Sequence, residues 1–336
     1  MNTAAYLWQL AQDKQKHGLP ILSFPAIQKM QVSVRELVES SELQATAMHT
    51  IASLTPAAAA VSLMDLSVEA QAFGAGVSFS EHEVPTVVGQ LIENEEDAQA
   101  LLTPPIGAGR TGICIEAICQ AKERIHDRPV LAGCIGPYSL AGRLMNVTEI
   151  MYLCFDEPDT VHCVLEKAVS FLIAYCQAFQ QAGADGVVMA EPLAGLLSPE
   201  MNAAFSLPYV RRIIEEVQTD GFAVIYHNCG NAVLSQLDDL FQLGAAAYHF
   251  GNAVNMPEIL RKAPSDVLCM GNIDPASLFA SSTPEAMHQT VTSLLEDCAC
   301  APNFLISSGC DIPPHAKWEN IHAFFHAIEA YNEAKR

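Results

Sequence analysis

The chain has 336 residues, half of them hydrophobic, and its formal net charge at pH 7 is −21, from 17 basic and 38 acidic residues. This balance argues against a nucleic-acid partner, which requires a basic surface, and against binding to anionic lipid. The 11 cysteines are an odd number and lack the spacing of a secreted disulfide scaffold. The N-terminus does not resemble a signal peptide, and no apolar run approaches a membrane span. We therefore expect a cytoplasmic protein with reduced cysteines and no membrane partner.

Eight short apolar runs recur along the chain, each followed by a polar or small residue and then by a segment of helical periodicity. They are 19–24, 58–63, 130–135, 186–190, 222–226, 245–250, 267–270 and 304–307. Such runs are typical of strands buried on both faces of a parallel sheet. Segments 165–181 and 208–218 show helical spacing and end before Gly183 and Gly221. This alternation predicts an α/β fold, a (β/α)8 TIM barrel, as a single domain over 1–336.

The connection between the second and third predicted strands is much longer than the others. It spans 64–129 and contains two apolar stretches, 77–79 and 84–88, and the loop 103–111. We predict that this elaborated segment forms an extra hairpin and helices that cover the mouth of the barrel.

In such barrels the chemistry lies in the loops at the carboxyl ends of the strands. A carboxylate, histidine or cysteine follows five of the eight runs. This pattern directs attention to the residues that begin these loops.

His227 and Cys229 follow the fifth predicted strand, two residues apart, which places both side chains on one side of an extended segment. Cys310 follows the eighth strand, and in a closed barrel both strand ends face one mouth. One nitrogen and two thiolates are a good zinc ligand set, and three protein ligands leave a position open for substrate. The flanking Gly230 and Gly309 let the backbone approach a ligand closely. The alternative is a hydrogen-bonded histidine beside buried thiols, and we interpret the other nine cysteines as core residues.

Two segments resemble the His-x-Cys…Cys zinc motif of methylcobamide:coenzyme M methyltransferases, which belong to the uroporphyrinogen decarboxylase superfamily of barrels. They are 226–231 (YHNCGN) and the distant 308–310 (SGC). The resemblance covers nearly the whole chain, because 133–140 (GCIGPYSL) is similar to the superfamily's glycine-proline-aromatic segment, and 182–186 and 270–274 also fit.

Departures from the superfamily pattern favour the methyltransferase branch. Decarboxylases begin with an arginine-rich segment that binds the substrate's carboxylates, whereas the matching 22–28 contains no arginine. Their histidine near the last strand is replaced here by Cys310. A porphyrinogen is a polycarboxylate, and a pocket without arginines would leave its charge unpaired.

The resemblance implies a zinc-dependent methyltransferase that moves a methyl group from a methylated corrinoid, presented by a corrinoid protein, to a small thiol such as coenzyme M. Zinc would keep the thiol deprotonated. A decarboxylase acting on a porphyrinogen is the first alternative. A zinc hydrolase and a non-catalytic corrinoid- or thiol-binding module also stay open.

Three residues are candidates for catalytic roles. Glu191 could accept a hydrogen bond from a ligand, accept a proton or serve as a temporary fourth zinc ligand, and the alternative is a helix cap. His249 lies 249 − 227 = 22 residues after the first ligand. It could orient substrate or fill the fourth place, or it is a packed, hydrogen-bonded histidine. Asp65 falls where decarboxylases of the superfamily place their essential aspartate, and it could bind substrate or a ligand's second nitrogen.

Three further residues are candidates for substrate binding. Asp274 lies at a strand end, like Asp65, and could play the same parts. Tyr138 could line the pocket, although an aromatic side chain there is also ordinary core. Asn231 is expected to tie down the loop that follows Cys229.

Overall fold

The computed structural model of the chain describes residues 2–336. Its strands are β1 (Ala60–Val61), β2 (Gly76–Ser78), β3 (Thr86–Val88), β4 (Val130–Ile135), β5 (Gly186–Ala190), β6 (Ala223–Asn228), β7 (Ala247–Phe250), β8 (Cys269–Ile273) and β9 (Phe304–Ser308). Within these residues one seven-stranded sheet has the order β1-β4-β5-β6-β7-β8-β9, and every neighbouring pair is parallel. Seven of the eight predicted runs therefore contribute a strand to this curled sheet.

The first predicted strand, 19–24, does not form a regular strand. Gly18 makes an isolated parallel bridge to Ile306 of β9, and its carbonyl accepts the Ala58 N–H at 2.9 Å. Pro20 has no N–H to extend a ladder. The segment therefore joins the two edge strands of the sheet at single points. The result is an α/β fold of the TIM-barrel type with seven regular parallel strands in place of the predicted eight.

Helices follow the strands and cover the outside of the sheet. Over residues 2–336 the α-helices are α1 (Thr3–Gln12), α2 (Ile27–Met30), α3 (Val34–Val38), α4 (Ser41–Leu54), α5 (Val68–Ala72), α6 (Glu95–Ala100), α7 (Thr111–Lys122), α8 (Pro137–Met145), α9 (Val147–Asp156), α10 (Pro158–Gln181), α11 (Pro199–Phe205), α12 (Leu207–Val217), α13 (Leu237–Leu240), α14 (Met256–Lys262), α15 (Pro284–Asp297) and α16 (Trp318–Ala334). Short 3-10 helices span Phe24–Ala26, Pro192–Leu196 and Asn231–Ser235, and a π-helix spans Pro275–Ser281.

By length and composition α10 is long and apolar enough to cross a membrane, which the search for apolar runs in the sequence did not anticipate. Half of its most apolar window is buried inside the fold. Phe171, Tyr175 and Phe179 stack in series along it, with ring centroids 5.7 and 4.4 Å apart, and the helix packs against α8 and α12. Its apolar composition is therefore explained by its place in the layer that covers the sheet.

The long connection between β1 and β4 contains β2, β3 and the helices α5 to α7. β2 and β3 pair as an antiparallel hairpin. The Arg110 guanidinium lies 5.0 Å from the centre of the Phe79 ring, just beyond β2, and forms an ion pair with Asp65 close after β1. The hairpin thus lies beside the carboxyl end of β1.

Apolar side chains fill the space that the curved sheet encloses. Val61, Leu131, Val188, Ile225 and Leu305 come from five strands and belong to one buried cluster that also includes residues of α1. Bulky branched residues fill the interior of such barrels in the same way. A second, larger cluster lies between the sheet and its helices. Since the interior is packed, groups that bind ligands must lie at the strand ends.

Candidate metal centre

Three side chains from two strand ends converge at the mouth of the sheet. His227 lies near the end of β6, Cys229 directly follows that strand, and Cys310 lies two residues after β9. Their ligand atoms all lie within 4.8 Å of one another. In a tetrahedral zinc site with bonds of about 2.0–2.3 Å, such atoms are about 3.5–3.8 Å apart. The structure thus brings together the predicted His-x-Cys…Cys set, and small side-chain shifts would complete a zinc site.

A chain of hydrogen bonds determines which nitrogen of His227 carries the proton. Ser307 Oγ donates to the Leu19 carbonyl (2.7 Å), so this oxygen accepts from His249 Nε2 (2.8 Å). The neutral His249 ring then has a lone pair on Nδ1, which accepts from His227 Nδ1 at 2.8 Å. His227 Nε2 is therefore left with its lone pair free, the state in which imidazole binds metals.

This lone pair has no protein partner. His227 is 1% exposed, and no group within residues 2–336 forms a hydrogen bond to its Nε2 atom. A buried polar atom without a partner costs about 1–3 kcal/mol. A metal ion at the common point of the three side chains would remove that cost, so the nitrogen fits a metal ligand.

The two thiols differ in acidity because they share a hydrogen bond. The pKa of Cys229 is lowered to about 7, mainly because it accepts a hydrogen bond from Cys310 and despite its burial. The pKa of Cys310 is raised to about 12 by donating that bond and by burial. Thiolate is the metal-binding form of cysteine. The pair therefore presents one readily formed thiolate, and a metal ion would displace the second proton.

Asn228 holds the loop after β6, and within residues 2–336 the predicted tie, Asn231, makes no side-chain hydrogen bond. Asn228 Oδ1 accepts the Gly230 N–H at 2.9 Å, and its Nδ2 donates to the Tyr226 hydroxyl at 3.1 Å. A Cβ on Gly230 would collide with the backbone of Gly195, so this position requires glycine. Asn231 is exposed and begins a 3-10 helix, and substrate binding by its side chain stays a prediction.

Glu191 makes the contacts of the helix-cap alternative. Its two carboxylate oxygens accept the backbone N–H groups of Tyr138 (3.0 Å) and Ser139 (2.6 Å) in the first turn of α8. A Cβ on Gly136 would lie only 2.6 Å from the carboxyl carbon. Burial raises the pKa of Glu191 to about 7, although these hydrogen bonds oppose the shift. A role as proton acceptor or temporary ligand stays a prediction.

His249 uses both of its ring nitrogens in the hydrogen-bond chain to His227 and Ser307. Burial, followed by the neighbouring His227, lowers its pKa well below the usual value, so the ring is neutral. This is the packed, hydrogen-bonded alternative. His249 thus orients the His227 ring, and a role of His249 in orienting substrate or as a fourth metal ligand stays a prediction.

Both carboxylate oxygens of Asp65 accept hydrogen bonds from neighbouring residues. Oδ1 accepts the backbone N–H (3.0 Å) and the hydroxyl (2.6 Å) of Ser67, and Oδ2 pairs with Arg110. Arg110 also donates to Gln71 (2.7 Å) and to the Ser67 hydroxyl (2.7 Å). Our sequence interpretation overlooked Arg110. The signal that could have revealed it was an arginine inside the predicted mouth loop of a chain poor in basic residues.

The remaining two candidates have structural contacts. Tyr138 is completely buried, and its hydroxyl lies 3.4 Å from the Met151 sulfur and 3.7 Å from that of Cys154 in α9, which is the core alternative. Asp274 caps the π-helix, because its Oδ1 accepts the backbone N–H groups of Ala276 (2.8 Å) and Ser277 (3.0 Å). Contact of either residue with a substrate stays a prediction.

Comparison with known proteins identifies relatives of two enzyme types. Residues 21–331 match the family model described as Uroporphyrinogen decarboxylase (URO-D). The methylcobamide:CoM methyltransferase MtbA of Methanosarcina acetivorans is 25% identical over 271 residues, which are 80% of this chain and 78% of that protein. The uroporphyrinogen decarboxylase of Methylobacillus flagellatus is 28% identical over 286 residues, which are 82% and 79% of the two chains.

A solved structure described as a methyltransferase from Methanosarcina mazei has the same fold, with a TM-score of 0.88 at 21% identity over 98% of each chain. The sequence identities do not separate the two enzyme types among the relatives. The family match nevertheless spans nearly the whole chain, and the parallel sheet agrees with it. This chain belongs to the uroporphyrinogen decarboxylase (URO-D) family.

Proposed function

We propose that this chain is a zinc-dependent methyltransferase that moves a methyl group from a protein-bound methylated corrinoid to a small thiol such as coenzyme M. The observation that supports it most is the convergence of His227, Cys229 and Cys310 around a buried imidazole lone pair. A decarboxylation would leave this ligand set without a purpose. The resemblance of one group of relatives, named as methylcobamide:CoM methyltransferases, agrees with the proposal.

His227, Cys229 and Cys310 would hold the zinc ion, which when bound would supply a Lewis acid that keeps a substrate thiol deprotonated at neutral pH. His249 holds the His227 ring in the required tautomer. Two thiolates and a neutral imidazole make a weaker Lewis acid than three imidazoles. This donor set therefore suits thiol activation better than the activation of water for hydrolysis.

The proposed reaction is balanced without a further reactant. A bond forms between the thiol sulfur and the methyl carbon, and the carbon–cobalt bond breaks with both of its electrons left on cobalt. The thiol proton passes to solvent. The chain's part is to bind the thiol, to hold His227 in one orientation through Ser307 and His249, and to leave the mouth open to the methyl donor.

The contacts of Asp65 and Arg110 disfavour a decarboxylase. Both groups neutralise each other in a buried ion pair, so neither is free for a pyrrole or a carboxylate of a porphyrinogen. Segment 22–28 contains no arginine. Arg110 lies near the mouth, but it is already paired with Asp65. A polycarboxylate substrate would leave most of its charge without partners.

Exposed apolar side chains offer a surface for the corrinoid protein. Besides Leu54, which precedes the amino end of β1, the large hydrophobic residues that are exposed in residues 2–336 lie on the connections that follow β1, β4 and β5; these are Val88, Leu102, Ile106, Tyr152, Phe155 and Leu196. Leu196 directly follows Gly195, which contacts Gly230 of the loop after Cys229. A partner that presents its methyl group to this centre would cover the same side of the molecule.

A cytoplasmic location is also part of the proposal. All 11 cysteines are free. They include Cys229 and Cys310, which lie close enough to share a hydrogen bond. Free thiols in this number are typical of a reducing compartment.

The direct test is methyl transfer from methylcobalamin to a panel of small thiols by the zinc-loaded protein, with Cys310→Ser as the ligand-deficient variant. We expect thiol-dependent loss of the methyl–cobalt absorbance with the wild type, and at least a 100-fold lower rate with the variant. Uroporphyrinogen is assayed in parallel for decarboxylation. Carboxyl release from it, together with no demethylation of methylcobalamin, would replace the proposal with the decarboxylase alternative.

A further inference from the structure

A cavity of about 240 Å³ lies under the β2–β3 hairpin. Its walls come from residues of 64–67, which follow β1, from 84–87 of the hairpin and from Arg143 of α8. Met64, Val84 and Val87 make much of the surface apolar. Because both β1 and β4 end at the mouth and α8 follows β4, the cavity lies on the same side of the sheet as the metal centre.

Arg143 is the only charged side chain in the wall of this cavity. It is half-buried, and within residues 2–336 no group accepts a hydrogen bond from its guanidinium and no carboxylate pairs with it. Burial lowers its pKa, which shows that the surroundings penalise the charge. Arg110, by contrast, donates to Asp65, Gln71 and Ser67. The protein thus holds one arginine at the mouth without a counter-ion.

Met64 in the cavity wall lies near the metal centre. Its backbone N–H lies beside the carboxyl group of Asp311, and Asp311 directly follows Cys310. A small molecule that occupied both the cavity and the metal centre would have to extend past Met64.

We propose that Arg143 binds the negatively charged group of a small-molecule substrate, a sulfonate, carboxylate or phosphate, in this cavity. The planar guanidinium can donate two parallel hydrogen bonds to such an oxyanion, and the apolar wall would cover an adjoining hydrocarbon segment. The charged group belongs either to the acceptor thiol or to the nucleotide of the corrinoid. The inference rests on the proposed function for the identity of these substrates, but the binding of the oxyanion can be measured without turnover.

The first experiment measures equilibrium binding by calorimetry with the zinc-loaded protein. The probes are 2-mercaptoethanesulfonate and its neutral analogue 2-mercaptoethanol. Arg143→Met removes the charge and keeps an unbranched stem, Arg143→Lys keeps the charge, and Arg211→Met alters an exposed arginine of α12 as the matched control. We expect Arg143→Met to weaken binding of the sulfonate at least tenfold and leave the neutral thiol unchanged, with partial recovery in Arg143→Lys and no change in the control.

The second experiment separates the two sources of the oxyanion by kinetics. A lower kcat/KM for the charged thiol alone assigns Arg143 to the acceptor. A lower kcat/KM for methylcobalamin, but not for methylcobinamide, which lacks the nucleotide phosphate, assigns it to the corrinoid. If folded Arg143→Met matches the wild type in binding and in both kinetic comparisons, the inference is overturned. Binding that depends on Arg143 without any methyl transfer would instead retain the site and refute the proposed function.

Discussion

Replacement of His249 by phenylalanine tests whether the hydrogen-bond chain prepares the metal ligand. The change keeps a planar ring in the buried space but removes the Nδ1 atom that accepts from His227 at 2.8 Å. The His227 Nδ1 proton would then have only the backbone carbonyl of residue 249, at 3.3 Å. A neutral hydrogen bond contributes about 0.5–1.5 kcal/mol, and loss of a ligand's outer partner weakens metal binding by about 10–100-fold.

Because the backbone carbonyl retains part of the interaction, we expect the lower end of that range, an approximately tenfold larger zinc Kd, or about 1.4 kcal/mol. Competition with a chromophoric zinc chelator measures this constant. Tyr248→Phe is the matched control on the same strand, since the Tyr248 hydroxyl accepts from the backbone at Gly244 (3.2 Å) and Ala245 (3.3 Å). It should lower the Tm without changing the zinc Kd. Wild-type zinc affinity in His249→Phe would refute the argument that this histidine prepares the ligand.

Three further predictions concern protons, stability and docking. Zinc binding should release between one and two protons at pH 7 and close to one above pH 8. The reason is that the pKa values of Cys229 and Cys310 in the metal-free protein are about 7 and 12. Calorimetry in buffers of different ionisation enthalpy counts the released protons. Burial raises the pKa of Glu69 from 4.5 to about 7. Between these pH values the folded state keeps the Glu69 proton while the unfolded state has lost it, so the free energy of unfolding falls as the pH rises from about 4.5 through 7. The free energy of unfolding of Glu69→Gln minus that of the wild type should therefore be up to about 3 kcal/mol larger at pH 8 than at pH 4. Tyr152→Ser with Phe155→Ser should lower kcat/KM with a corrinoid protein about 30-fold, since each side chain would lose roughly 1 kcal/mol of apolar burial and 1.4 kcal/mol is about a factor of ten. Transfer from free methylcobalamin should stay unchanged.

These predictions have separate controls. Cys310→Ser should abolish tight zinc binding and with it the zinc-dependent release of protons. If the wild type releases no proton on binding zinc, the hydrogen-bonded pair of Cys229 and Cys310 is contradicted. The exposed Glu116→Gln is the stability control, and an equal effect of Glu69→Gln at both pH values would contradict the burial of an ionisable group. Leu54→Ser alters the exposed apolar residue away from the mouth, and an equal loss with it would contradict docking at the mouth.

Local patterns in the sequence were sufficient for seven of the eight predicted strands and for the convergence of His227, Cys229 and Cys310. Continuous apolar runs identify buried parallel strands because both faces of such strands are covered. The two-residue step from His227 to Cys229 is a local relation, and Cys310 joins them because all parallel strands of a curled sheet end at the same mouth. The chain order of the strands therefore carried the essential long-range information.

Contacts between distant segments decided the rest. The choice of Asn228 over Asn231 as the loop tie depends on the close approach of Gly195, and the tautomer of His227 depends on Ser307 and its acceptor on Leu19. Hydrogen-bonding side chains have many possible partners in a sequence, and only packing selects among them. The same holds for arginines, since the pairing of Arg110 with Asp65 and the lack of a partner for Arg143 depend on how the connection after β1 packs beside that strand's carboxyl end.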